Sequence, residues 1–197
     1  RAAVARRAAG RRGGGLMTPS RHPAMPALAA TAAVAVVAAL LLWGPARALA
    51  QPVPERLAVD LREEVQRIDV RTSDLYGRRE AASIALTTFR PPGEGPFPLA
   101  IVSHGRGNVQ QRAEQGRQRF EVLARYLVSK GFAVFVPTRF GYGDTFGRGF
   151  DPEESGTCQA KRYGPMATAA SDQVLVALAQ AQKTPWVDAR RWVALGW

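Results

Sequence analysis

A chain of 197 residues has room for one domain of the usual ~150 residues, and 46% hydrophobic with 22% charged residues is a globular makeup. The net charge of +11 does not mark a nucleic-acid binder. Residues 1–50 hold seven of the 27 basic residues and no acidic one, so the remaining 20 basic residues face 16 acidic ones, a net of +4. That residue of charge forms no dense patch, no aromatic interleaving and no nucleic-acid motif, which excludes nucleic acid as a partner.

In chain order, residues 1–16 lack a methionine and read as an upstream or disordered segment, with Met17 or Met25 as the start. Residues 17–50 read as a signal peptide. Arg21 and His22 precede an uncharged run from Ala27 to Trp43, Gly44-Pro45 breaks it, and Ala48-Leu49-Ala50 is a small-x-small cleavage signal before Gln51. The expected location is periplasmic or secreted, with cleavage after Ala50. A retained membrane anchor is the alternative, because ~17 residues is the lower limit for a span. Membrane contact is expected only through this segment. Export would make disulfides feasible, but Cys158 is the only cysteine.

Residues 51–197 are expected to carry the fold. Ile68 and Val70 alternate with Asp69 and Arg71, the period of a half-buried strand. A turn at Asp74–Gly77 leads to a second strand, Ser83–Phe89, and the pair predicts an antiparallel start. The Arg90–Pro96 stretch, rich in Pro and Gly, is a loop. Phe97–Ser103 and Phe132–Pro137 are short and apolar without alternation, as strands buried on both faces are. Between them, Phe120, Leu123, Ala124, Leu127 and Val128 form a helical stripe closed by Gly131. Thr138 to Pro165 is long and glycine-rich, and its length predicts a functional loop or partial lid. A second helix is expected from Ala167 to about Gln182, with Met166, Ala170, Val174, Ala177, Leu178 and Ala181 on its packed face. A turn at Val187–Arg190 then enters a final strand at Trp192. Strands alternating with helices predict parallel βαβ units in an α/β sheet, three layers deep.

Several motifs are set aside. Asp144, Asp151, Glu153 and Glu154 lack metal-ligand spacing and read as a solvated acidic face, so no metal is expected. Gly141/Gly143 and Gly147/Gly149 open no helix and make no dinucleotide fingerprint. No cofactor is expected.

The pieces from Leu99 to Trp197 resemble the α/β-hydrolase superfamily, in particular dienelactone-hydrolase-like and prolyl-oligopeptidase-like secreted esterases. Those pieces are Leu99 to His104-Gly105, Leu127 to Val134, Pro137 to Gly143, Trp186 to Arg190, and Val193 to Gly196-Trp197. The resemblance implies the N-terminal half of an α/β-hydrolase sheet and a Ser-His-Asp mechanism on carboxylic esters or lactones. Gly196 and Trp197 would open the Gly-x-Ser-x-Gly elbow, which puts the nucleophile immediately after Trp197 and the acid and base further on. No catalytic side chain is then expected within the chain, and residues 51–197 alone are expected to be an inactive, incomplete domain. The resemblance assigns one oxyanion donor to the backbone N–H of Arg106, with Gly105 allowing close approach, and places His104 and Tyr142 as candidate pocket residues. The alternatives are a serine peptidase of the same fold and a non-catalytic binding protein built on it.

Overall fold

In a computed structural model of the protein, residues 55–196 are described. The leader segments, Met17, Met25 and the Ala50–Gln51 junction lie outside the described residues, as does Trp197. No helix among the described residues is long and apolar enough to cross a membrane.

Five strands form one mixed sheet in the order β1-β2-β4-β3-β5. Strands β1 (Glu64–Ser73) and β2 (Arg79–Phe89) are antiparallel, with Ile68 opposite Ile84 and Val70 opposite Ala82. Their connection is fixed by Asp74, whose Oδ1 accepts the N–H groups of Tyr76 and Arg78 at 2.9 and 2.8 Å. Strand β2 also runs antiparallel to β4 (Ala133–Pro137). Strand β3 (Phe97–Ser103) lies between β4 and β5 (Val187–Gly196) and is parallel to both.

The apolar runs of β3 and β4 are uninterrupted because both faces of these strands are covered. Leu99, Ile101, Ala133 and Phe135 pack with Ile84, Leu86, Ala177 and Ala181 on one face. Ala100, Val102, Val134 and Val136 pack with Ala124, Leu127 and Val128 on the other. The sheet is thus the middle of three layers. Helix α2 (Glu121–Ser129) ends as the sequence predicts: Gly131 takes φ +85, and the N–H groups of Gly131 and Phe132 return to the carbonyls of Val128 and Leu127 at 2.9 and 3.0 Å.

Three expectations need correction. A short helix, α1 (Val109–Glu114), follows β3 and has no apolar stripe to announce it; it is held by reciprocal bonds between Asn108 and Gln111, both 2.9 Å. Helix α3 begins at Tyr163, not Ala167, and runs to Gln182, because Pro165 falls in its first turn, where a missing N–H costs nothing. Ala177 and Ala181 are buried as expected, and Val174 and Leu178 pack against the core, but the most buried stripe also takes in Ala169 and Gln173, so that a polar residue sits within it. Finally, the Val187–Arg190 turn is a bulge inside β5: Pro98 pairs with Asp188 and Leu99 already with Trp192.

Candidate functional site

Parallel strands place their carboxyl ends on one edge, so the segments after β3 and β4 emerge together with the end of β5. The chain leaves β3 for β4 on one side and returns to the opposite side of β3 at β5. Such a reversal of strand order opens a crevice at the carboxyl ends, where ligands bind in open α/β sheets. Ser103 pairs with Gly196 in register. The segment singled out for the oxyanion donor, His104-Gly105-Arg106, and the glycine singled out for the elbow therefore lie side by side.

Two hollows meet this edge. One, of about 520 Å³, is lined by His104, Gly105, Arg106, Gly107, Gln111, Glu114, Gln115, Gln118 and Phe120. The other, of about 380 Å³, is more apolar and lined by Ser103, Val174, Leu175, Trp192, Ala194, Leu195 and Gly196 among others. A larger open depression, about 570 Å³, sits against Asp69, Arg71 and Asp172. None of the residues singled out from sequence lines it.

Beneath the first hollow lies a buried polar network. Arg139, which follows β4, is 3% exposed and directs its guanidinium under the loop after β3. Its Nε donates to Glu153 Oε1 at 2.5 Å and its Nη2 to Glu153 Oε2 at 3.1 Å, a two-pronged pair. Its Nη1 donates to Ser103 Oγ at 2.6 Å and to the His104 carbonyl, and its Nη2 reaches the Gly105 carbonyl at 3.5 Å. Glu153, 1% exposed, also accepts from the Tyr142 hydroxyl at 3.0 Å. Its neighbour Asp151 receives Arg106 at 2.7 Å and Arg112 at 2.9 Å.

Of the four acidic residues read as a solvated face, Asp144 is exposed as expected, but Asp151 and Glu153 are not. Asp151 and Glu153 point inward because Asp151 neutralises Arg106 and Arg112, from the loop after β3 and from α1, and Glu153 neutralises Arg139, which follows β4; an unpaired charge there would be costly. Nor does the Thr138–Pro165 stretch stand free as a flap. Phe140 and Tyr142 are buried, and the Phe140 N–H donates to Gln173 Oε1 at 2.6 Å. The sequence offered Arg139 only as part of the loop resembling a pocket mouth and Glu153 only as part of an acidic face, and it gave no sign of Gln173.

His104 is buried against the Tyr142 ring, edge-on at 4.3 Å between centroids. One ring nitrogen, Nδ1, lies 2.9 Å from the Gly105 carbonyl and must donate to it; the other, Nε2, accepts the Arg139 N–H at 3.1 Å. A neutral imidazole has one donor and one acceptor, and both are spent. Burial, then the charge of Arg139, lowers its pKa to about 4. Tyr142 is fully buried below the hollow, and burial with the nearby Glu153 carboxylate pushes its pKa up to about 12. Cys158 is an exposed free thiol. Among the described residues no group of three His, Cys, Asp or Glu side chains could hold a metal ion.

No protein-family profile matches the chain, and no curated protein matches it. Solved structures do. A rice cell wall degrading esterase, LipA, from Xanthomonas oryzae is 22% identical, with 68% of this chain and 34% of that one covered and a TM-score of 0.44. An acylaminoacyl peptidase is 16% identical over 68% of this chain and 19% of that one, with a TM-score of 0.42. Esterase Est22 is 14% identical over 67% and 35%, with a TM-score of 0.37. The chain therefore spans about a third or less of the length of these structures. Its own topology, an antiparallel start followed by parallel βαβ units with helices on both faces, is the α/β architecture that the hydrolase resemblance implies.

Proposed function

We propose that these residues belong to an exported serine hydrolase acting on carboxylic esters or lactones. Its nucleophile follows Trp197, its acid and base come later, and the Arg106 N–H holds the developing oxyanion. The observation that supports this reading is the register of Ser103 with Gly196, which brings the His104–Arg106 segment beside Gly196 at the reversal of strand order. In such a site the serine attacks the carbonyl carbon while its proton passes to the histidine. The carbonyl oxygen becomes an oxyanion held by backbone N–H groups, and the alkoxide leaves with that proton. His104 takes no part as base, because both its nitrogens are engaged below the hollow.

The test is the full-length gene product. It is expected to hydrolyse p-nitrophenyl acetate, to be labelled by a fluorophosphonate at the residue after Trp197, and to carry Gln51 at its mature N-terminus. Residues 51–197 alone are expected to do neither chemistry. A full-length protein with no Ser, Cys or Asp following Trp197 would overturn the reading.

A further inference from the structure

The buried guanidinium of Arg139 holds the carbonyls of two residues, His104 and Gly105, that line the hollow. The His104 carbonyl accepts from Arg139 Nη1, and the Gly105 carbonyl accepts from His104 Nδ1 at 2.9 Å with Arg139 Nη2 at 3.5 Å. A trans peptide is planar, with its C=O and N–H on opposite sides, and the Gly105–Arg106 bond is not cis. A Gly105 carbonyl held inward therefore turns the Arg106 N–H outward, and among the described residues that N–H has no acceptor. The Arg106 side chain is fastened from its other end by Asp151, at 2.7 Å. Both anchors, Asp151 and Glu153, come from one stretch of the glycine-rich loop, and Asp151 Oδ1 also accepts the Glu153 N–H at 3.0 Å.

We infer that Arg139, held by Glu153, is a positioning residue: it orients the Arg106 N–H toward the substrate carbonyl oxygen without touching substrate. This rests on the oxyanion role proposed for Arg106. A fixed dipole aimed at developing charge needs no reorganisation during reaction, so its value depends on how firmly it is held. Lysine at position 139 retains the charge that Glu153 needs but lacks the fork that reaches two carbonyls at once.

The experiment uses the full-length protein with an oxygen ester and its thionoester, whose C=S is a poorer partner for N–H donors. In Arg139→Lys, kcat on the oxygen ester is expected to fall about 10²-fold, the scale of a small misplacement of a catalytic group, with KM little changed. The thionoester rate should fall far less, so the ratio of the two collapses. Arg139→Ala strands the Glu153 carboxylate and can prevent folding, so Arg139→Lys and Glu153→Gln carry the test. Asp74→Ala is the control: it weakens the β1–β2 turn, lowering Tm while leaving the ratio intact. A merely structural role scales both rates together through the folded fraction. An unchanged ratio in an active Arg139→Lys protein therefore overturns the clamp alone. A wild-type protein that neither hydrolyses esters nor takes the fluorophosphonate overturns the oxyanion role itself, and the clamp with it.

Discussion

At the scale of single residues, His104 shows how burial fixes a protonation state. Its imidazole is neutral in the fold, with a pKa near 4 against 6.5 when unfolded. The unfolded chain therefore binds the extra proton first, and stability is lost as pH falls from about 6.5 toward 4. The whole shift corresponds to about 3 kcal/mol, of which about 2 is gone at pH 5. Urea unfolding at pH 7 and pH 5 should show this loss, and His104→Asn should flatten the profile in that window. A wild-type profile already flat there would mean that the two ring hydrogen bonds do not persist in solution. The histidine was legible in the sequence as part of a turn, but its role was not. One partner, the Gly105 carbonyl, belongs to the next residue, but the other, the Arg139 N–H, comes from the end of a different strand, and no local spacing records that meeting.

At the scale of elements, helix α3 packs through alanines with one amide among them. Ala169, Ala177 and Ala181 bring the helix close to the sheet, and Gln173 fills the remaining space by accepting the Phe140 N–H at 2.6 Å and donating to the Ala169 carbonyl at 3.0 Å. Gln173→Leu keeps the bulk but orphans a buried backbone N–H, for an expected loss of about 1–3 kcal/mol in denaturant unfolding. The apolar period found Ala177 and Ala181 but missed Gln173, because it scores glutamine as a surface residue. Strand β5 makes the second case. It pairs with β3 alone among the described strands, and Trp192 and Val193 on it are 41% and 45% exposed. An open apolar edge recruits other strands. Residues 55–196 produced alone should aggregate through β5, and Val193→Lys should raise the soluble fraction measured by light scattering after sedimentation. No change in that fraction would place the association elsewhere.

For the molecule as a whole, the sequence carried the layer order well: two alternating or β-rich runs gave the antiparallel start, and two uniformly apolar runs gave the buried parallel strands. What it could not carry was anything that depends on which strand ends meet. The pairing of Ser103 with Gly196, and the inward turn of Asp151 and Glu153, follow from strand order rather than from neighbours along the chain. The double anchorage of that acidic pair has a practical consequence for protein engineering. Loops at the mouth of a crevice are the usual parts exchanged to alter substrate preference. Here the stretch from Arg139 to Glu153 is not an interchangeable part. A transplanted loop lacking carboxylates at 151 and 153 would leave Arg106, Arg112 and Arg139 with buried, unmatched charge, so the unit that can be swapped is the loop together with the segment from His104 to Arg112.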